Sequence, residues 1–327
     1  MRAVVISTPG GPEVLTVVEV PDPVPGPDEI LVEVVATAVN RADILQRLGR
    51  YPAPAGAAAD VPGLEFSGRV RAVGGRVTRW SPGDAVMGLV GGGAYAELLT
   101  LHEREAIAVP EGMAVADAGA VPEVFTTAYD ALFLQGGLRG GGRALVHAGA
   151  SGVGTAAIQI VKALGARVAV TCSAGKVAAC EALGADLVVD YTSADFGVEV
   201  AAWTGPDGVD VVLDVVGGEY LDRNLDVLTT GGTIVQVGIL GSPDAMLPLP
   251  KLLARRARLI GTVLRSRPLE EKIAVARRVE ADLLPLFDAG LLHPVIDRRV
   301  PFAEVADAHR AVESNEVIGK VAIDVAS

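Results

Sequence analysis

A short apolar run near the middle of the chain leads into a turn of small residues, in the segment RALVHAGASGVGTAAIQIVKALGARVAVTC, residues 143–172. Residues 155–164 then carry apolar side chains at helical spacing, and Gly165 ends that helix. Backbone N–H groups at the start of such a helix bind phosphate. The segment therefore predicts a dinucleotide-binding βαβ unit. The residues expected at the pyrophosphate are those of the turn: Gly149, Ser151, Gly152, Val153 and Gly154.

The turn departs from the pattern G-x-G-x-x-G at one position, because Ser151 stands where the middle glycine belongs. That glycine lets the backbone approach the pyrophosphate. A serine fits if its side chain turns away, or if its hydroxyl joins the phosphate or nicotinamide contacts. The sequence leaves both possibilities open.

The end of the second strand bears on the choice of cofactor. Enzymes that use NAD place Asp or Glu there to bind the ribose 2′-hydroxyl, but this strand ends in Cys172 and Ser173. Lys176 follows, and Tyr191 stands after the third strand. A cation with hydroxyl donors suits a 2′-phosphate, so we expect NADPH to be bound through Ser173, Lys176 and Tyr191.

Composition narrows the class of protein. A chain of 327 residues, half of them hydrophobic, is long enough for two domains. A net charge of −12 argues against nucleic acid or an anionic membrane surface as partner. Residues 144–161 lack charge, but their glycines and polar residues fit a turn and helix better than a membrane span. Without a signal sequence, and with Cys172 and Cys180 as the two cysteines, we expect a cytoplasmic protein.

The pattern of elements changes twice along the chain. Residues 1–121 contain short β-type runs separated by Pro and Gly, and residues 122–263 alternate six strands with helices. Residues 264–327 add two helices and a closing strand. This order predicts an α/β fold with a β-rich domain and a doubly wound, six-stranded parallel sheet.

Segments distributed over the whole chain resemble the zinc-independent quinone oxidoreductases of the medium-chain dehydrogenase/reductase superfamily. They include NRADILQRLGRYP, PGLEFSGRV, VPEVFTTAYDAL and IGKVAIDV, together with the glycine turn. The branch that the chain most resembles is the tumour-suppressor-inducible, zeta-crystallin-like one. The resemblance implies a GroES-like catalytic domain at 1–121, completed by 264–327, and a Rossmann domain at 122–263. It also implies NADPH as hydride donor and a homodimer joined through the edge strand near GTIVQVGIL.

The same resemblance implies roles for individual residues. Asn40 and Tyr51 would lie over the nicotinamide, where Asn40 donates to a substrate carbonyl and Tyr51 donates to it or passes a proton. The alternatives are a turn residue for Asn40 and a loop anchor for Tyr51. Thr127 would lie beside the nicotinamide, and Gly238 would meet the carboxamide through its backbone.

The resemblance to zinc enzymes of the superfamily is weaker at the metal site. Those relatives carry Cys where this chain has Asn40 and His where it has Leu64, and leucine cannot bind zinc. The four histidines show no ligand spacing, and Asp43 and Glu65 are expected to be structural. We therefore expect a site without metal.

Without a metal ion to polarise the substrate, hydride transfer requires a hydride acceptor that needs little activation. Hydride transfer to a quinone gives a stabilised phenolate, so NADPH:quinone reduction is the first expectation. The second is reduction of an activated C=C bond in an enone or enoyl thioester, for which Tyr51 could supply the proton. The third is a non-catalytic, crystallin-like NADPH-binding protein. An aromatic content of 4% leaves few rings to stack on a quinone and keeps the second hypothesis open.

Overall fold

The computed structural model describes residues 1–326, which divide into two compact units. The first, here called the β-rich unit, contains Met1–Thr126 and resumes at Leu264. The second, here called the parallel-sheet unit, is Thr127–Val263.

The first division falls inside a helix, Pro122–Tyr129, and not at its start as the sequence suggested. The beginning of this helix belongs to the β-rich unit, because Phe125 packs edge-on against Phe287 with 4.8 Å between ring centroids. The backbone N–H of Glu123 also donates to a carboxylate of the same unit. The second division lies between Val263 and Leu264.

The strands of the described residues are β1 Arg2–Ile6, β2 Leu15–Glu19, β3 Glu29–Ala38, β4 Glu65–Val73, β5 Ala85–Leu89, β6 Leu98–His102, β7 Ile107–Ala108, β8 Arg143–Val146, β9 Arg167–Cys172, β10 Leu187–Asp190, β11 Val209–Asp214, β12 Leu228–Gln236, β13 Arg258–Gly261, β14 Ile296–Pro301 and β15 Lys320–Asp324. The α-helices are α1 Arg41–Arg47, α2 Val115–Ala118, α3 Pro122–Tyr129, α4 Gly152–Ala163, α5 Val177–Ala182, α6 Phe196–Thr204, α7 Tyr220–Val227, α8 Leu249–Arg255, α9 Leu269–Asp288 and α10 Val305–Glu313. A π-helical segment, Asp130–Gln135, follows α3, and short 3₁₀ turns occupy Pro12–Val14, Ala174–Lys176 and Phe302–Glu304.

The parallel-sheet unit has the strand order β10-β9-β8-β11-β12-β13, and every neighbouring pair is parallel. These are the six strands that the sequence predicted, so the α/β fold with a doubly wound sheet is confirmed. Strands covered on both faces are uniformly apolar, and Leu145, Val212 and Ile234 are fully buried in this core. Loops at the carboxyl ends of β8, β9, β10 and β11 lie along one edge, where such sheets bind ligands.

The β-rich unit is built on a seven-stranded sheet of order β14-β15-β3-β4-β5-β7, with β6 also pairing β3. The ten-residue strand β3 pairs antiparallel with β4, β6 and β15. Strand β15 comes from the C-terminal part of the chain, so this sheet forms only after both parts of the unit are present. Ile30, Phe66 and Ile323 are among the buried side chains of its core.

The sequence analysis placed the joining edge strand near GTIVQVGIL. That segment contains most of β12, which lies between β11 and β13. The edge strand is β13, which reads RLIG and was counted as an ordinary strand of the sheet. Among the described residues, no helix is both long and apolar enough to cross a membrane.

Candidate functional site

The glycine turn requires its glycines for steric reasons. A Cβ on Gly149 would lie 2.6 Å from Cβ of Val170 in β9, and a Cβ on Gly154 would lie 2.3 Å from the carbonyl oxygen of Ala148. Ala148 itself has a left-handed backbone, with φ of 57°. The start of α4 is therefore packed directly onto the strand ends, as a turn that admits a pyrophosphate must be.

Ser151 is the N-cap of α4. Its backbone is extended, and its Oγ accepts a hydrogen bond from the Gly154 N–H at 3.0 Å. The side chain thus turns onto its own helix, which answers how a serine fits at the middle position. The N–H groups of Gly152 and Val153 are the first of the helix and point out of its N-terminus, where a phosphate oxygen would accept from them.

The three residues expected at the 2′-phosphate lie at one edge of the sheet. Strands β9 and β10 pair up to Cys172 and Asp190, and the Tyr191 N–H donates to the Cys172 carbonyl at 3.1 Å. Ser173 and Tyr191 therefore leave adjacent strand ends, and Lys176 closes the 3₁₀ turn after Ser173. Tyr191 is half exposed.

An acid that the sequence analysis did not assign lies at the same place. The Asp190 carboxylate accepts from the hydroxyls of Thr192 and Ser193, at 2.7 and 2.9 Å, and from the backbone N–H of Thr192 and Ala174. These hydrogen bonds, led by the Thr192 hydroxyl, lower the pKa of Asp190. Asp190 ties the loop after β9 to the loop after β10. Its position at the end of the third strand is the feature of the sequence that could have identified Asp190 as part of this edge.

A second set of polar side chains is buried beneath this edge. His147, just after β8, contacts Thr171 Oγ1 through Nδ1 at 3.0 Å and Asn224 Oδ1 through Nε2 at 2.8 Å. The Asn224 amide donates in turn to Asp214 at 2.9 Å, and Asp214 accepts the N–H groups of Val216 and Gly217. Burial lowers the pKa of His147 and favours neutral imidazole. The network holds the loop after β11 in place.

Two other predicted cofactor residues have definite positions in the parallel-sheet unit. Thr127 lies in α3 and is buried. Gly238 follows β12, and its carbonyl accepts from the Gln236 side-chain amide at 2.7 Å. That carbonyl is therefore already hydrogen-bonded within the protein.

In the β-rich unit, Asn40 belongs to a buried ion-pair network. Lys320 Nζ lies 2.8 Å from Glu65 Oε1 and donates to Asn40 Oδ1 at 2.6 Å. The Asn40 amide nitrogen donates to Glu65 Oε1 at 2.9 Å and to the Ala38 carbonyl at 3.3 Å. Asn40 was expected to donate to a substrate carbonyl. In this structure the amide nitrogen makes both of these hydrogen bonds within the protein, and the donation to a substrate stays a prediction.

A chain of buried groups continues from α1. Asp43 accepts from the backbone N–H groups of Asn40 and Gly63 and from the Tyr95 hydroxyl, at 2.8, 3.1 and 3.3 Å. The Tyr95 oxygen lies 3.2 Å from His309 Nε2, and Arg47 lies 3.2 Å from His309 Nδ1. Arginine can only donate, so His309 accepts at Nδ1 and carries its proton at Nε2. Asp43 and Glu65 are structural, as expected.

The same unit contains a pocket. It is lined by Leu64, Leu89, Val90, Glu105, Ile107, Pro122, Glu123, Thr126, Leu264, Arg265, Lys272, Val275 and Ala276. Lys272 is paired with Glu105 at 2.8 Å. Tyr51 is not one of these lining residues, but its ring lies 5.2 Å from the guanidinium of Arg265, which is, and burial raises the pKa of its phenol. Nothing in the sequence pattern marked Arg265.

Comparison with known proteins identifies the family. The model "Alcohol dehydrogenase GroES-like domain" matches residues 26–111, and "Zinc-binding dehydrogenase" matches residues 183–323. The synaptic vesicle membrane protein VAT-1 homolog of Rattus norvegicus is 34% identical over 91% of this chain and 77% of that protein. The chain belongs to the medium-chain dehydrogenase/reductase superfamily.

Other known proteins are similar to nearly the whole of this chain. The pikromycin polyketide synthase component PikAII of Streptomyces venezuelae is 35% identical over 98% of this chain, which spans 8% of that synthase. The structure of an NAD-dependent alcohol dehydrogenase matches with a TM-score of 0.88 at 33% identity, covering 99% of this chain and all of the other.

Two further solved structures carry more specific names. The Escherichia coli quinone oxidoreductase complexed with NADPH matches with a TM-score of 0.88 at 28% identity, over 99% of this chain and 100% of that one. The JamJ enoyl reductase matches with a TM-score of 0.87 at 27% identity, covering 99% of this chain and 98% of that one. The GroES-like and Rossmann-like architecture is thus confirmed.

The superfamily includes zinc enzymes, and one matching model is named for zinc. Within residues 1–326, no three His, Cys, Asp or Glu side chains form a group that could hold a metal ion. Leu64, which stands where zinc relatives carry histidine, lines the apolar pocket instead.

The Asp43 and His309 pair generates a prediction about pH and stability. Burial raises the pKa of Asp43 to about 6, while burial and then the Arg47 charge lower the pKa of His309 to about 3. From about pH 4 to 6 the unfolded chain ionises Asp43 first, so this group makes the free energy of unfolding fall as pH rises. Below about pH 6.5 His309 is protonated in the unfolded chain before it is protonated in the folded protein. This group therefore makes the free energy of unfolding fall as pH drops.

The two effects oppose each other in the wild-type protein and separate in variants. We expect His309→Gln to lose stability relative to wild type as pH rises from 4 to 6, by about 1.4 kcal/mol per pH unit. Asp43→Asn should show the reverse slope below about pH 6.5. Urea unfolding at several pH values measures both. Parallel pH curves for the wild type and the two variants would contradict the assignment.

Proposed function

We propose that this chain is an NADPH-dependent reductase of conjugated carbonyl compounds, with an aliphatic enone or enoyl thioester as the favoured substrate class. The observation that carries this choice is the pocket of the β-rich unit. None of the side chains that line it in the described part of the chain is aromatic. Quinones prefer stacked rings, whereas an aliphatic chain packs well against Leu64, Ile107 and Val275.

A quinone remains the second candidate substrate. It is supported by the resemblance in the sequence and by the similarity to the Escherichia coli quinone oxidoreductase. A non-catalytic NADPH-binding protein is the third candidate.

The residues of the parallel-sheet unit fit a dinucleotide. The N–H groups of Gly152 and Val153 would receive the pyrophosphate, and Ser173, Lys176 and Tyr191 would receive the 2′-phosphate. NADPH, when bound, supplies a hydride to the substrate. Asp190 adds a negative charge beside the 2′-phosphate residues, but its carboxylate is hydrogen-bonded to Thr192 and Ser193.

Lys176 provides the test of cofactor choice. We expect at least about tenfold tighter binding of NADPH than of NADH, since a charge-assisted hydrogen bond to phosphate contributes roughly 1.5–3 kcal/mol. Lys176→Ala should remove most of this preference. Lys162→Ala is the matched control, because Lys162 lies on α4 and forms an ion pair with Asp186. Fluorescence titration with both cofactors measures the ratio. Equal affinities in the wild type, or no effect of Lys176→Ala, would refute the proposal.

The β-rich unit would bind the substrate and hold a proton. Its lining is mostly aliphatic, and the charged side chains in it are Glu105, Glu123, Arg265 and Lys272. Tyr51 would be the proton donor to the α-carbon of an enone: a phenol is protonated at neutral pH, although burial raises the pKa of Tyr51 and so makes it a weaker acid. A reduced quinone leaves as a stabilised phenolate that solvent can protonate, so it needs no such donor.

Tyr51→Phe separates the two substrate classes. If Tyr51 is the proton donor for an enone, turnover should fall on the order of a hundredfold or more. Quinone reduction should fall only about tenfold, or roughly 1.4 kcal/mol, through lost positioning. The assay is steady-state NADPH oxidation with short enones and with ortho- and para-quinones. NADPH binding without oxidation by any of these acceptors would favour the non-catalytic alternative.

We also propose a homodimer joined through β13. This edge strand has unpaired backbone groups on one side, and Leu259, Val263 and Leu253 expose apolar side chains nearby. Light scattering should give twice the mass of one chain. Leu259→Glu should give a folded monomer, because it places a charge in the dimer interface. A wild-type monomer would contradict this assembly.

A further inference from the structure

Arg265 is a nearly buried cation in the wall of the pocket. It follows β13 at the point where the chain re-enters the β-rich unit, and only 8% of it is exposed. Its Nε donates to the Gly91 carbonyl at 2.7 Å, Nη1 donates to the Tyr51 carbonyl at 3.3 Å, and Nη2 donates to Gln46 Oε1. The guanidinium is thus fixed from three directions by neutral acceptors.

Within residues 1–326, no carboxylate forms an ion pair with Arg265. Asp43 and Glu123 raise its pKa through space, while burial, the larger effect, lowers it. Neither carboxylate forms an ion pair with Arg265. The other cation of the lining, Lys272, is paired with Glu105 at 2.8 Å. Burying a cation in this way costs free energy. The arrangement therefore suits an electron-rich oxygen of a bound ligand as the partner of the guanidinium.

The guanidinium has donors available for that partner. Arginine has five N–H groups in a fixed plane, and the three described hydrogen bonds use one on each nitrogen. One N–H on Nη1 and one on Nη2 therefore remain. Because Arg265 lines the pocket, these donors can meet an oxygen of a molecule bound there.

We infer that Arg265 binds the carbonyl oxygen of the substrate and stabilises the negative charge that develops on it, an inference that rests on the proposed function. Addition of a hydride to the electron-poor carbon moves an electron pair through the conjugated system onto oxygen, giving an enolate, and NADPH becomes NADP⁺. The enolate of an enone then takes up one proton at its α-carbon. The enolate of a quinone becomes a phenolate when the carbon that received the hydride loses a proton and the other carbonyl oxygen gains one, and the phenolate takes up one further proton at oxygen. A donor fixed in advance favours the charged oxygen over the neutral carbonyl.

The role extends to both candidate substrates, because each gains charge on oxygen during hydride addition. It also differs from that of Tyr51, which would supply a proton to carbon. Arg265 remains protonated in proteins and cannot act as the acid. Its contribution would be electrostatic and would not depend on proton transfer.

A stable oxyanion gives a readout that is independent of turnover. We use 4-nitrophenol, whose neutral and ionised forms differ in absorbance, bound to the full chain in the presence of NADPH. The wild-type protein should bind the phenolate at least about tenfold more tightly than the neutral phenol, since charge-assisted hydrogen bonds are the stronger ones. In Arg265→Gln this preference should fall below about threefold, and Arg265→Lys should retain part of it.

Controls separate this role from a structural one. Arg104→Gln removes an exposed, ion-paired arginine of the same unit and should leave the phenolate preference unchanged. Thermal unfolding checks that the Arg265 variants are folded, and Arg265→Lys keeps a cation in place if Arg265→Gln is unstable. With enones or quinones, Arg265→Gln should lower kcat at least tenfold with a smaller change in KM.

The outcomes for Arg265 and for the proposed function are distinguishable. A wild-type protein without phenolate preference, or a folded Arg265→Gln that keeps it, overturns the inference even if the enzyme reduces enones. Loss of the preference in Arg265→Gln, combined with no turnover of any acceptor by the wild type, supports an oxyanion site and refutes the reductase.

Discussion

The buried ion pair between Lys320 and Glu65 is the interaction on which the β-rich unit depends. Lys320 begins β15, and Glu65 begins β4, so the pair joins the C-terminal strand to the N-terminal part of the sheet. Both side chains are almost fully buried, and a buried charge is tolerated only when its hydrogen-bonding capacity is satisfied. Asn40, the Val39 carbonyl and the backbone N–H of Glu123 provide those partners.

This network sets the positions of three segments, two of which line the pocket. The Glu65 carboxylate fixes the start of α3 through Glu123, and Asn40 fixes the start of α1. Leu64, next to Glu65, is thereby directed to the pocket lining. Removing one partner would leave an uncompensated charge, whereas an apolar replacement of the pair could be neutral for stability. The network therefore specifies geometry more than it adds stability.

The sequence was most informative where a local pattern determines the structure. The six strands of the parallel sheet and the turn at Gly149 and Gly154 were predicted correctly, because alternation of elements and small residues are visible within short windows. The role of Asn40 was not predictable in the same way. Its partners Glu65 and Lys320 are distant in sequence, and a family position alone does not show which hydrogen bonds an amide already makes.

Arg265 was missed for the same physical reason. Its partners are the carbonyls of Tyr51 and Gly91 and the amide of Gln46, all more than 170 positions away. A cation surrounded by neutral acceptors has no sequence signature, since surface arginines look identical in one dimension. Asp190 was missed although it was visible, because the acid was sought only at the end of the second strand and not at its neighbour.

The mostly aliphatic pocket and the Arg265 guanidinium bear on how one site could accept chemically different molecules. Under the proposed function, the lining would set the preference for the carbon skeleton through packing, which discriminates weakly between apolar groups. The guanidinium would set the preference for an oxygen that becomes negative, and this requirement is common to enones and quinones.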